Sequence, residues 1–514
     1  MALRFLATPS VLALVICAAP PARAAPPVSA VDQVSAAIAR VDALNPKVRA
    51  VIALDPTALD QAHALDRKPK ARGILGGLPI LVKDNIETKG PLPTTAGSLA
   101  LRANVTDRDA PMIARLRAAG GVILGKTNLS EWANIRSDSS ISGWSAIGGQ
   151  TRNPFALSRN PCGSSSGSGA AVGAGMVDAA IGTETDGSIT CPSAVNGIVG
   201  LKPSVGLVSR THIVPISHSQ DTPGPMTRDV RTAALLLTTM AGRDPADPAT
   251  QEADARKTDY TAALRADALK GVRLGVLRWA TSWHTGLDAR FEAALSVLRQ
   301  QGAVLVDIKT APDHRQISAH ENKVLMTELK ADLNTYLATA APAVRTRTLA
   351  DVIAFNRANA AQEMALFGQE TFEKAQATQG IDDPDYLKAR EAGQRLAGPE
   401  GIDRMLADSG TIALIAPTAP PAWFIDPVNA DQAPFGGAGS LAAVAGYPHL
   451  TVPMGGVLGL PVGLSFIGPK WSEAQLLALG YAFEQAAPDM KLRPSFAQSI
   501  EAQPEVDRLF QPAK

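Results

Sequence analysis

The stretch Pro111-Met112-Ile113-Ala114-Arg115-Leu116-Arg117-Ala118-Ala119-Gly120-Gly121-Val122-Ile123-Leu124 decides the fold class. Proline in the first turn and a Gly-Gly pair past the end bound a helix, and the apolar run 122–124 behind it reads as a buried strand. Upstream, Leu78-Pro79-Ile80-Leu81-Val82 is a second short apolar run, with the strand placed at 79–83. The order strand, helix, strand is the α/β rhythm. Working toward the N-terminus, Ser29 is placed to cap a helix marked by Val31, Val34, Ile38, Val41 and Leu44, which Asn45-Pro46 is expected to stop. A strand over 48–54 and a helix over 58–65 follow. Toward the C-terminus, 170–176 reads as a small-residue helix, 179–182 as a strand, and a helix is expected to run to about Val195. Strands at 273–277 and 304–307 flank a helix at 287–298. Residues 315–408 read as almost wholly helical, with no strand signal, an elaboration placed over the substrate entrance. Strand patterns return at 412–416, 450–453 and 462–467, with a closing helix at 474–484. Core-like strands at both ends of the chain predict one large domain over 25–514, built on a single mixed, twisted sheet covered on both sides by helices.

The bulk properties exclude several classes. With 514 residues the chain can bury a large core. Its 46% hydrophobic and 19% charged content excludes a largely disordered chain. A formal net charge of +1 without blocks of like charge gives no reason to expect nucleic acid or an anionic membrane as partner. Residues 1–24 have the form of a signal peptide: Arg4, a short apolar run from Val11 to Ala19, and Ala22-Arg23-Ala24 as a small-x-small cleavage site. No later segment has the length of a membrane span. The expectation is an exported protein, periplasmic or secreted, without stable membrane association. Cys162 and Cys191 are the cysteines beyond the leader. Two are too few for a disulfide framework; the plainer reading is a pair of small buried thiols, although a local bridge is within geometric reach.

The chemistry concentrates in two serine-bearing segments, Pro161-Cys162-Gly163-Ser164-Ser165-Ser166-Gly167-Ser168-Gly169 and Gly182-Thr183-Glu184-Thr185-Asp186-Gly187-Ser188-Ile189. A serine hydroxyl attacks only when a base takes its proton. None of the seven histidines sits in a Gly/Ser-rich loop or in a metal-ligand pair; His449, near a strand start, reads as structural. A lysine can serve if burial keeps it neutral, and Lys83 ends an apolar strand. Folding the helix and strand between the segments back on themselves brings Ser164 and Ser188 together, so that a relay Lys83, Ser164, Ser188 is possible. The run Thr185-Asp186-Gly187-Ser188 offers successive backbone N–H groups at a helix start, a natural oxyanion hole, and Gly187 permits the backbone geometry this needs.

These motifs resemble the amidase signature hydrolases. The resemblance covers most of the chain beyond the leader: Gly77-Leu78-Pro79-Ile80-Leu81-Val82-Lys83-Asp84, Gly125-Lys126-Thr127-Asn128, Thr151-Arg152-Asn153-Pro154, the two serine segments, Gly200-Leu201-Lys202-Pro203, Asp221-Thr222-Pro223-Gly224-Pro225-Met226, Ala416-Pro417-Thr418 and Gly459-Leu460-Pro461-Val462-Gly463. It implies Lys83 as base, Ser164 as relay and Ser188 as nucleophile, with the backbone of Thr185, Asp186, Gly187 and Ser188 as oxyanion hole. Ser165 would support the relay loop and Asp221 would order its surroundings. No metal or organic cofactor is implied. Two departures stand out: Cys162 and Ser166 replace glycines of the first segment, and Asp186 precedes Gly187 where the family usually has glycine. The run 183–192 is most similar to the peptide amidases, which implies C-terminal amides of short peptides as substrates, or related linear aliphatic or aryl carboxamides.

Three competing readings were weighed. Gly163-Ser164-Ser165-Ser166-Gly167 also fits the nucleophile elbow of α/β-hydrolases, with Ser165 attacking, but two prolines in 153–163 make a poor preceding strand. The amidotransferase subunit that acts on tRNA-bound glutamate shares the motifs; the leader and the balanced charge argue against it. An exported, non-catalytic binding protein would have lost one of Lys83, Ser164 or Ser188, and all three are present.

Overall fold

The computed structural model describes residues 28–68, 72–432 and 437–510; the expected leader lies outside them. Thirteen strands form in chain order: β1 (Val51–Leu54), β2 (Pro79–Lys83), β3 (Val122–Thr127), β4 (Trp144–Ser145), β5 (Gly149–Gln150), β6 (Ala179–Glu184), β7 (Val199–Lys202), β8 (Thr222–Thr227), β9 (Arg273–Leu277), β10 (Val304–Ile308), β11 (Ala413–Pro417), β12 (His449–Val457) and β13 (Leu460–Ile467). Apart from the β4–β5 hairpin they make one 11-stranded sheet in the order β1-β3-β2-β6-β8-β7-β12-β13-β11-β9-β10. It is mixed: β2 runs parallel to β3 and β6, while β6, β8, β7, β12, β13 and β11 alternate in direction. All six strands before residue 228 lie on one side, and the later ones join at β7, where His449 faces Lys202.

The strand residues divide between the two faces as a period of two requires. Ile80 and Val82 of β2, with Ala179 and Ile181 of β6, pack into a core beneath the helices Val230–Met240 and Glu473–Ala486. Leu81, Val122, Leu124 and Ala180 point the other way, against the helices Ala30–Val48 and Ser166–Gly173. Burial on both faces is why these strands read as continuous apolar runs. Lys83 shares the parity of Leu81, which sets it on the face of the helix Ser166–Gly173. Residues 314–409 hold helices joined by short turns and coil, with no strand, led by the 25-residue helix His314–Ala338. Among the described residues no helix is long and apolar enough to cross a membrane.

Two expectations need correction, and two strands fall where none was expected. The first helix does not stop at Asn45-Pro46 but runs to Val48. Pro46 falls in its last turn, and the Asn45 side chain accepts from the N–H groups of Ala50 and Val51 just beyond it. The small-residue helix spans Ser166–Gly173, so it starts two residues after Ser164 rather than six. The segments holding Lys202 and Pro223 are strands β7 and β8, central in the sheet, where proline is normally excluded. The β7–β8 ladder consists of Val199↔Thr227 and Gly200↔Met226, so Pro223 and Pro225 lie beyond it and deprive it of no donor.

Candidate functional site

The parity of β2 brings Lys83 under the start of the helix that Ser164 precedes. Its Nζ lies 2.8 Å from Ser164 Oγ, 2.8 Å from Thr183 Oγ1 and 3.2 Å from the Thr183 carbonyl oxygen. Lys83 and Ser164 are 0% exposed. Burial drives the lysine pKa down to about 7, against the opposing pull of Asp221 and Glu184. A neutral amine has two hydrogens and one lone pair. The two Thr183 oxygens take the hydrogens, which leaves the lone pair to the Ser164 hydroxyl. Asn85 Nδ2 donates to Thr183 Oγ1 at 3.0 Å and fixes that side chain in turn.

Ser188 opens the segment that follows β6. The two serine segments touch through the backbone, where Ser165 N–H donates to the Ser188 carbonyl at 3.1 Å. Ser165 is tied to β6 as well: its hydroxyl donates to the Thr183 carbonyl at 3.0 Å and accepts from Thr183 N–H at 3.2 Å. Glu184 caps the far side of Ser188, accepting from the N–H groups of Ile189 and Thr190 at 2.7 and 2.9 Å. The N–H groups of Thr185, Asp186, Gly187 and Ser188 donate to no group among the described residues. Gly187 has φ +77°, and no atom lies within 4 Å of where its Cβ would be. Ser188 and Thr185 are each 8% exposed, so solvent meets the site here rather than at the lysine.

Asp221 lies beside Thr185. Its carboxylate accepts from Thr185 Oγ1 at 2.6 Å and from the N–H groups of Ile216 and Ser217 at 2.8 and 2.9 Å, and burial raises its pKa to about 6. Asp186 turns its carboxyl inward, toward Ser440 and Glu321, and contributes only backbone to the site. That removes the charge conflict which an aspartate beside an oxyanion hole would create. His449 lies apart from these groups: it is buried, 2.7 Å from Ser465 Oγ through Nε2, and held neutral by burial and the Lys202 charge, its pKa pushed down to about 3.

Sequence reasoning missed Thr183, Asn85, Glu184 and Glu321. Thr183 and Glu184 lie in the quoted second segment; Asn85 follows Lys83 by two residues, and nothing local marks any of the three as a partner. Of the described residues, His218, Glu328 and Asp332 have the grouping of metal ligands. Their atoms are already engaged: Glu328 accepts from the hydroxyls of Ser217, Ser219 and Tyr386, and Asp332 pairs with His218 Nδ1. The cluster fastens the 217–219 segment to the long helix.

The reading of Cys162 and Cys191 as free thiols is overturned. They form a disulfide, with Cα atoms 6.0 Å apart, that ties the segment before Ser164 to the helix after Ser188. The bridge packs against Ala194, Val195, Ala419, Ala422 and Trp423. It closes a loop of 29 residues, for which chain entropy gives about 3.6 kcal/mol. Replacing both cysteines by serine is expected to lower the unfolding free energy by about that amount, read as a fall in the urea midpoint. An unchanged midpoint would show that the packing alone holds the two segments.

Residues 32–477 match the amidase family along their whole length. The chain belongs to the amidase signature family. A probable amidase of Arabidopsis thaliana is 40% identical over 459 residues, 87% of this chain and 84% of that protein. Among solved structures, the native peptide amidase of Stenotrophomonas maltophilia is 51% identical, with a TM-score of 0.86, covering 91% of this chain and 95% of that one. A peptide amidase in complex with the competitive inhibitor chymostatin superimposes with a TM-score of 0.87 at 51% identity, over 91% and 96% of the two chains. The expected fold of the family, a large mixed sheet between helices, is the fold observed, and the protein is an amide-hydrolysing enzyme.

Proposed function

We propose that this amidase works through a Ser188–Ser164–Lys83 triad and that its substrates are the C-terminal carboxamides of short peptides, released as acid and ammonia. The observation that carries the triad is the buried 2.8 Å contact between Lys83 Nζ and Ser164 Oγ, with both Thr183 oxygens within hydrogen-bond reach of the same nitrogen. Ser188 attacks the amide carbonyl and passes its proton to Ser164, whose own proton moves to Lys83. The carbonyl oxygen, now negative, is received by the free N–H groups of the 185–188 loop, in a site where such donors act at full strength. Collapse expels ammonia with a proton returned along the same path. Water then attacks the acyl-Ser188 ester and repeats the transfer.

The substrate reading is supported by 51% identity to peptide amidases, one of them bound to a competitive inhibitor. Export is supported by the form of residues 1–24 and by the disulfide, a cross-link that persists in oxidising compartments. The test of substrate class is ammonia release from a panel of amidated dipeptides, simple aliphatic amides and aryl amides. Turnover of the dipeptide amides at a kcat/KM well above the others is the expected result. Activity confined to simple or aryl amides would retain the chemistry and discard the peptide substrates.

A further inference from the structure

We propose that Glu321 is a positioning residue for the oxyanion loop: its buried carboxyl, in hydrogen-bond contact with the Asp186 carboxyl and with the Gln220 amide, holds residues 185–188 in the shape that presents their N–H groups to the substrate. This rests on the reading of that loop as the oxyanion hole. Glu321 lies on the helix His314–Ala338, 133 residues beyond Ser188, and grips the loop at two points. Gln220 Nε2 bridges Glu321 Oε1 at 2.8 Å and the Thr185 carbonyl at 3.3 Å. Asp186, the next residue, meets Glu321 directly. The same helix holds the adjoining segment, with Glu328 accepting from Ser219 N–H at 3.0 Å and Asp332 from His218 N–H at 2.7 Å.

Two carboxyl groups in contact cannot both ionise in a buried site, so the pair holds one proton. The surroundings decide where it resides. Glu184 at the end of β6, Lys202 on β7 and the Ser440 hydroxyl face Asp186, and the lysine and hydroxyl favour its ionised form. Among the described residues the groups that act on the Glu321 carboxyl are Asp186 and Gln220, and burial together with the Asp186 charge raises its pKa far above the usual carboxylate range. Near neutral pH Glu321 is therefore the acid: it accepts from Gln220 at Oε1 and donates from its other oxygen to Asp186. Ionisation at alkaline pH removes the donor and sets two like charges against each other. The contact then repels, and the loop loses its fastening.

The test compares wild type, Glu321→Gln, Glu321→Ala and Ser188→Ala in ammonia release from an N-acetylated dipeptide amide, which does not titrate, between pH 6 and 10. Circular dichroism at each pH verifies the fold. Glutamine keeps both the acceptor and the donor without an ionisable group. Glu321→Gln is expected to stay within about threefold of wild type at pH 7 and to keep its rate above about pH 8, where wild type declines. Glu321→Ala is expected to lose roughly 10- to 100-fold in kcat with a smaller change in KM, as misplaced donors at a charged transition state do. A glutamine variant with the wild-type alkaline decline, or one as damaged as alanine at pH 7, overturns the proposal; so does a folded alanine variant with full activity. Should alanine fail to fold, the alkaline limb of the glutamine variant decides alone. Activity in Ser188→Ala would instead overturn the reading of the site on which this depends.

Discussion

Ser188→Ala is expected to abolish ammonia release, with kcat reduced by at least about 10⁴-fold and the fold unchanged. The size follows from what is removed. The hydroxyl is the one group proposed to form a covalent bond with the substrate, and without it the relay has no proton to move. The N–H groups of residues 185–188 come from the backbone and remain, so binding survives and the residual rate is whatever the oxyanion loop extracts from a direct attack by water. Structural cost is small: Ser188 Oγ makes no hydrogen bond to another described residue, and 8% of the residue is exposed. Thermal unfolding of the variant should match wild type. Retained activity would sink the assignment and direct attention to Ser165, although both hydrogen bonds of that hydroxyl to Thr183 mark it as support.

Lys83→Met is expected to cost about 10³- to 10⁴-fold in kcat, the scale of losing a general base. Methionine fits the buried space with a flexible apolar side chain and ends the need to keep an amine neutral away from water, so stability should hold or rise. The pH profile separates this from mere disturbance. Burial lowers the Lys83 pKa to about 7. Below that pH the amine is protonated, has no lone pair for Ser164, and the rate falls about tenfold per pH unit; above it the base is free and the rate is level until the alkaline decline. The methionine variant should lose this acid limb altogether. An acid limb that persists in Lys83→Met would mean that some other group titrates. Asp221 would be the first to examine, since burial brings its carboxyl to about 6.

The elements that positioned Lys83 were legible because each carried its own local signal. Strand β2 is apolar on both faces and ends in a lysine, and its bounds agree with the sequence reading residue for residue. The helix at Pro111–Ala118 has proline at its start and glycines after it. Strand β8 had no such signal, because Pro223 and Pro225 forbid a central strand unless the neighbouring ladder ends before reaching them, which is a property of β7 rather than of β8. Pro46 misled in the opposite direction: the helix tolerates it in the last turn because Asn45 supplies the acceptor that the following backbone needs.

The site divides along the same line. Lys83, Ser164 and Ser188 stood out as residue types capable of chemistry in unusual local company. Thr183 did not, because a threonine in a strand becomes the lysine's acceptor only once β2 and β6 lie side by side. Glu321 sits on a helix patterned like any other, and its contact with Asp186 joins segments that share no local feature. The disulfide was undecidable from two cysteines beyond the expected leader; it needed the 6.0 Å that the packed segments impose.

The division of the sheet at β7 also has a consequence in time. Every group proposed to react lies before residue 228, on strands or loops that are complete when less than half of the chain has emerged. At that stage the outer edge of β7, with Lys202 and Leu201, has no neighbour, since β12 begins at His449. An unpaired edge of that kind invites the wrong partner. The helix carrying Glu321 has also yet to be made. A half-synthesised chain thus has the proposed triad residues in hand but neither a closed sheet nor, on the proposed reading, an ordered oxyanion loop. On the proposed reading the enzyme is switched on by its second half, and a product truncated before His314 should be both silent and prone to aggregate.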